Sequence, residues 1–146
     1  MTYSNDAKHQ FLGVPGELIH AYGAVSGPVA EAMVRGLLSV SRVPLGVAIT
    51  GVAGPGGGTA DKPVGTVWFG LGAIRGGWGR IVAVRHRFQG PRAQVQRQAA
   101  RWARALARVW WESEMMLDRL PSLTDNDDKP FIEASQTPLP FVPNPL

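Results

Sequence analysis

The strongest constraint in this sequence is a glycine-rich stretch, GVAGPGGG, that directly follows a short apolar run. Residues 51–58 contain five glycines and one proline, so they are predicted to form a loop. No helix or strand interior tolerates that composition. The preceding run, residues 45–50, has the length of a buried strand. The chain is therefore expected to contain a buried strand that ends in a glycine-rich loop.

Two interpretations of this loop remain open. A loop at the carboxyl end of a strand in an open α/β sheet lies where such sheets bind ligands. Glycines there allow backbone N–H groups to approach a phosphate or a developing oxyanion. The stretch is neither a P-loop, because Gly-Lys-Ser/Thr is missing, nor a dinucleotide fingerprint, because no helix is predicted after the glycines. The other interpretation is a flexible connector between two strands.

The other sequence patterns predict an α/β fold of one domain. Apolar spacing and capping residues predict helices at residues 5–12, 17–21, 27–38 and 91–114, with Ser4 or Asn5 capping the first and Ser26 the third. Strands are predicted at residues 45–50, 64–71 and 81–88, the last two joined as a hairpin by a turn at 76–79. The first two strands are fully apolar, which indicates a sheet covered on both faces.

Charge is distributed very unevenly along the chain. Residues 75–111 carry nine arginines and no acid, and four of these arginines repeat on one face of the last predicted helix: Arg97, Arg101, Arg104 and Arg108. A solvated face is favoured over a nucleic-acid-binding one, so no nucleic acid is expected as a partner. Residues 121–146 are rich in proline and acids and lose all apolar periodicity. The predicted organisation is a folded domain over 1–120 and a disordered tail over 121–146.

Composition excludes several classes of site. The chain has no cysteine, which excludes disulfides and thiolate metal sites, and its three histidines lack metal-ligand spacing. No metal and no cofactor are therefore expected. Apolar runs stop short of the roughly 18 residues that a membrane helix needs. No basic and apolar leader opens the sequence, so a cytoplasmic protein without membrane contact is expected.

A second candidate site lies near the start of the chain, where Tyr3, Asn5 and Lys8 follow one another closely. If Asn5 caps the helix, Lys8 falls in the first turn, where the helix dipole disfavours an ammonium group. A lysine in that position, and partly desolvated, would have a lowered pKa and could serve as a general base. The alternative is that Lys8 is a solvated surface residue and Tyr3 a packing residue.

Several segments in order along the chain resemble one known family. They are YSNDAK at residues 3–8, LGVP at 12–15, GAVS at 23–26, ITGVAGPGGG at 49–58 and KPVGTV at 62–67. This combination resembles the CinA carboxy-terminal domain, which also occurs alone as a nicotinamide-nucleotide amidohydrolase. The resemblance implies a three-layer α/β/α fold. It also implies hydrolysis of the carboxamide of nicotinamide mononucleotide to nicotinic acid mononucleotide and ammonia.

The resemblance also implies roles for individual residues. Tyr3 and Lys8 match the catalytic proton-transfer pair. The residues that match substrate-binding positions are Asn5, Thr50, Gly51, Gly54 and Gly56. The family's serine nucleophile lies in a Glu-Ser-Cys-Thr-Gly-Gly motif, usually a few dozen residues before the Tyr-Ser-Asn segment, and this sequence has no counterpart of it.

Without that motif, the domain is expected to lack its first structural elements and to have impaired amidase activity. A non-catalytic nucleotide-binding or interaction module is the alternative. An incomplete sheet edge would also favour a homo-oligomer.

Overall fold

The computed structural model describes residues 4–75, 78–115 and 131–133. The helices are α1 (Asn5–Leu12), α2 (Gly16–Tyr22), α3 (Gly27–Ser41) and α4 (Arg92–Met115). The strands are β1 (Leu45–Gly51), β2 (Thr66–Arg75), β3 (Trp78–Arg87) and β4 (Phe131–Glu133). They form one sheet in the order β1-β2-β3-β4, in which every neighbouring pair is antiparallel.

The sheet is the middle of three layers. One of its faces packs against α3, where Trp68 and Ala83 form a buried cluster with Ala30. Its other face packs against α4, where Phe69 forms a cluster with Val95 among others. The predicted α/β class and the coverage of both faces are therefore confirmed. The comparison with open α/β sheets was wrong in one respect, because those sheets are mostly parallel and this one is antiparallel.

Capping residues set the start of two helices. The Ser26 Oγ accepts a hydrogen bond from the Val29 amide at 3.4 Å, which confirms the predicted cap of α3. The Ser4 Oγ accepts from the Ala7 amide at 3.0 Å, so Ser4, and not Asn5, caps α1. The sequence argument for Lys8 took Asn5 as the cap. With Ser4 as the cap, the first turn of α1 starts one residue earlier.

The hairpin is longer than predicted. Arg75 pairs with Trp78, so β2 extends to the start of the predicted turn at 76–79 and β3 begins inside it, which leaves two residues between the strands. The ladder extends this far because the antiparallel register is kept without interruption from Thr66 onward.

Part of the predicted disordered tail has regular structure. Residues 131–133, within the predicted tail, form β4, which pairs with residues 83–85 of β3. The physical reason is that β3 would otherwise offer unpaired backbone groups along this edge. The remainder of that segment lies outside the described residues, and the domain boundary at residue 120 stays a prediction.

The arginine stripe of α4 is exposed, as expected for a solvated face. All four arginines lie at the surface, and Arg108 forms a salt bridge with Glu112 at 2.8 Å, one helical turn away. The expectation that nucleic acid is not a partner stays a prediction. Within the described ranges, no helix has both the length and the apolar character needed to cross a membrane.

The contact between α3 and β2 depends on a glycine. A Cβ atom built on Gly70 would lie 2.1 Å from the Ala30 carbonyl oxygen, a distance that real Cβ atoms essentially never show. Because the obstructing atom belongs to helix backbone, it cannot move aside as a flexible side chain would. Gly70 therefore determines how closely α3 approaches the sheet.

We predict that Gly70→Ala lowers the free energy of unfolding by about 1–3 kcal/mol, the usual cost of overpacking a core. The matched control is Gly56→Ala, because a Cβ at that exposed loop position meets nothing within 4 Å. The control should stay within about 0.5 kcal/mol of the parent protein. Urea unfolding followed by circular dichroism measures both. Equal stability of the two variants would contradict the close approach of α3.

Candidate functional site

A groove of about 780 Å³ opens beside β1, between the helical layers. Its wall on one side comes from α1 and α3, and on the other side from the first half of α4. Most of the lining is apolar. The polar and charged side chains among the lining residues are Asn5, Lys8, Thr50, Arg92 and Gln96. Its size is that of a site for a small organic molecule.

Lys8 is the buried cation of this groove, with only 6% of its surface exposed. Burial lowers the pKa of the Lys8 ammonium below its usual value, because the charged form loses its hydration. Since Ser4 caps α1, Lys8 is the fourth residue of the helix, and its amide donates to the Ser4 carbonyl at 3.1 Å. The predicted lowering of the pKa thus has burial, not the helix dipole, as its cause.

Thr50 anchors the end of β1. Its side chain is 6% exposed, and its Oγ1 donates a hydrogen bond to the Ala24 carbonyl at 2.7 Å. This bond joins the sheet to the connection between α2 and α3. Thr50 therefore fixes the groove wall in place, and its hydroxyl proton is already engaged.

The glycine-rich loop contributes to the groove only at its beginning. Gly51 and Ala53 line the groove, whereas Gly54 and Gly56 do not. Gly54 is buried against Val64, at a backbone φ of +84° that favours glycine. Gly56 is exposed on the far part of the loop. Of the predicted binding residues, the structure therefore brings Asn5, Thr50 and Gly51 together with Lys8.

Arg92 is a groove residue that the sequence reasoning missed. It is the first residue of α4, and its Nη1 donates to the Gly54 carbonyl at 3.1 Å. The signal in the sequence was an arginine directly after Gly90-Pro91, at the start of a predicted helix. Tyr3, the other predicted catalytic residue, lies outside the described residues.

Comparison with known proteins identifies the family. The family model of the CinA C-terminal domain matches residues 1–109. The chain belongs to the CinA C-terminal domain family. The α/β/α arrangement described above is thus that of a CinA-type domain, as the sequence resemblance implied.

Two curated relatives illustrate the similarity. The nicotinamide-nucleotide amidohydrolase PncC of Escherichia coli strain K12 is 46% identical over 110 residues, which are 75% of this chain and 64% of that protein. The protein of the same name from Enterobacter agglomerans is 46% identical over 100 residues, which are 68% of this chain and 59% of that protein. The chain thus spans about three fifths of the length of these CinA-family relatives.

Solved structures of the family agree with the fold. A CinA superfamily protein from Klebsiella pneumoniae superimposes with a TM-score of 0.68 at 37% identity, covering 76% of this chain and 68% of that one. A competence/damage-inducible protein from Agrobacterium tumefaciens gives a TM-score of 0.63 at 37% identity, covering 81% and 66%.

The lowered pKa of Lys8 predicts how stability depends on pH. A base whose pKa is lower in the folded state binds fewer protons there than in the unfolded chain, so stability rises as pH approaches the unfolded value near 10.5. Lys8→Met removes the buried ammonium. We therefore expect this variant to be more stable than the parent near neutral pH, by a margin that shrinks as the pH rises toward 10.5.

Chemical unfolding at several pH values measures this margin. The matched control is Arg97→Met, which removes a cation from an exposed helix position where burial costs nothing. Its difference from the parent should stay within about 0.5 kcal/mol at every pH. A Lys8→Met margin that does not change with pH would show that the ammonium is solvated.

Proposed function

We propose that the groove binds nicotinamide mononucleotide and that the domain supports hydrolysis of its carboxamide, giving nicotinic acid mononucleotide and ammonia. The observation that carries this proposal is Lys8, a buried amine with a lowered pKa in a groove of suitable size. The similarity to proteins named nicotinamide-nucleotide amidohydrolase supports the choice of substrate. That this chain shares the activity of those longer proteins is part of the proposal.

The chemistry assigned to Lys8 is proton transfer. Direct hydrolysis of the amide by water needs a base that takes a proton from the attacking water and an acid that protonates the departing nitrogen. A neutral Lys8 amine accepts the first proton, and the resulting ammonium donates it to the leaving group, which departs as ammonia. Burial favours this cycle because it brings the pKa of the amine closer to neutral pH. Tyr3 is proposed to share the proton path.

One observation favours the second candidate, a nucleotide-binding module without turnover. Among the described residues that line the groove, Thr50 is the only one with a hydroxyl group. That hydroxyl donates to the Ala24 carbonyl, so it is not directed toward Lys8 as a nucleophile would be. The described lining thus offers space for a ligand beside Lys8 but no side-chain hydroxyl that Lys8 could activate as a nucleophile.

Two measurements on the same protein separate the candidates. Isothermal titration with nicotinamide mononucleotide reports binding, and enzymatic detection of ammonia reports turnover. For the amidohydrolase, we expect Lys8→Met to reduce ammonia release by about 10²–10⁴-fold, the range for loss of a general acid–base group. Arg97→Gln, an exposed position outside the groove, should release ammonia at the rate of the parent protein.

Binding without ammonia release would support the nucleotide-binding module instead. Neither binding nor release would overturn both candidates. Turnover that persists in Lys8→Met would show that another group moves the proton.

A further inference from the structure

The side of the sheet opposite the groove is formed by β3, whose outer edge is only partly covered. β1 borders the groove at one end of the strand order, and β4 pairs with residues 83–85 of β3 at the other end. The family model ends at residue 109, so β4 is a segment from outside the matched residues that pairs with an edge inside them. β3 therefore already binds one short segment by strand addition, a mode by which domains recognise extended peptides.

The backbone of β3 has room for a longer segment than β4. The Phe88 amide donates to the Gly65 carbonyl at 2.9 Å, toward β2. Because backbone groups alternate between the two sides of a strand, those of the odd-numbered residues of β3 point away from β2. Positions 83 and 85 among them meet β4. Among the described residues, no strand lies opposite the outward groups at positions 79, 81 and 87.

Exposed arginines give this edge a positive charge on both faces of the sheet. Arg85 lies 5.8 Å from the centre of the Trp68 ring, on the side of α3. Arg80 lies 4.9 Å from the centre of the Trp110 ring, on the side of α4. Cation–π contacts of this kind keep a guanidinium close to the sheet. Arg87 adds a third exposed cation at the end of β3, so the edge favours a segment of negative charge.

The segment that pairs with β3 comes from a stretch of that charge. Residues 125–133 contain four acids and one lysine, a net charge of −3. The 15 residues from 116 to 130 join the end of α4 to β4. Tethering over such a distance gives an effective concentration of roughly 1 mM. Proximity thus supports a pairing of only three residues, and a longer acidic segment that makes more pairs competes with it.

We propose that the outer edge of β3 is a docking site for an extended acidic segment of a partner polypeptide, and that residues 131–133 occupy it until the partner displaces them. The partner is a polypeptide because the edge presents an alternating row of N–H and C=O groups, which another extended backbone satisfies. Its acids complement the three arginines. This site lies across the sheet from the groove, so it does not depend on the proposed function.

The test adds a fluorescent peptide with the sequence of residues 125–137 to the full chain and measures anisotropy. Glu133→Pro frees the edge, because residue 133 pairs with Ala83, whose backbone groups point toward β4, and proline has no N–H to donate. This variant should bind the peptide about 10-fold more tightly than the parent. That factor is expected when a tethered segment at about 1 mM stops competing with a peptide whose Kd is about 0.1 mM.

The matched control is Ile132→Pro, which places the same residue type one position earlier. The amide of residue 132 points away from β3, since backbone groups alternate, so β4 should stay paired. Ile132→Pro should therefore bind the peptide as weakly as the parent does. Thermal unfolding of Glu133→Pro at the temperature of the parent confirms that this variant is folded.

Two further measurements identify the site and the charge. Hydrogen exchange at the Ala83 and Arg85 amides should be faster in Glu133→Pro than in the parent, and added peptide should slow it again. A peptide that carries Asp127→Asn and Asp128→Asn should bind Glu133→Pro about three- to ten-fold more weakly, the range for loss of two exposed ion pairs.

Three results would overturn the proposal. One is equal binding of the peptide to the parent and to Glu133→Pro, or binding to neither. Another is unchanged binding of the neutralised peptide, which would contradict an acidic partner. The third is dimerisation of Glu133→Pro without peptide in analytical ultracentrifugation, because a second copy of β3 would then take the free edge in place of a partner segment.

Discussion

Two close backbone approaches determine where Lys8 lies. Gly70 allows α3 to pack closely against β2. Gly36 allows α1 to pack closely against α3, because a Cβ atom at Gly36 would lie only 1.8 Å from the Leu12 carbonyl oxygen. Gly36 is in a helix interior, where glycine costs about 1 kcal/mol relative to alanine. Its packing role explains why the helix contains it. The sheet thus positions α3, α3 positions α1, and α1 places the Lys8 side chain in the groove beside β1.

This placement makes the site a source of instability as well as of chemistry. A buried ammonium loses hydration, and this loss lowers the pKa of Lys8. Both apolar clusters reach the groove that holds Lys8: Met33 and Ala48 belong to one cluster, and Val95 and Ala99 belong to the other. The burial of these clusters on the two faces of the sheet stabilises the fold and offsets the cost. A lowered pKa and a local loss of stability are two consequences of the same desolvation.

Local signals in the sequence predicted the elements, and tertiary packing decided what the sequence did not show. The Ser26 cap, the end of α1 at Leu12 and the extent of α4 depend on neighbours within a few residues, so they were predictable. The antiparallel partner of β1 was not, because strand periodicity is the same for either direction. Gly54 was assigned to the site from its motif. The structure places Gly54 outside the groove, and its position depends on contacts with Val64 and Arg92, which are distant in sequence.

The loop connects the two sides of the groove. Gly51, at the end of β1, contributes to the floor near Thr50, and three residues later the Gly54 carbonyl holds Arg92. Thr50 is hydrogen-bonded to the Ala24 carbonyl and Arg92 to the Gly54 carbonyl, so backbone carbonyls hold the groove wall at both places. A groove whose wall is held in this way is preorganised, which lowers the entropic cost of binding any ligand that spans it.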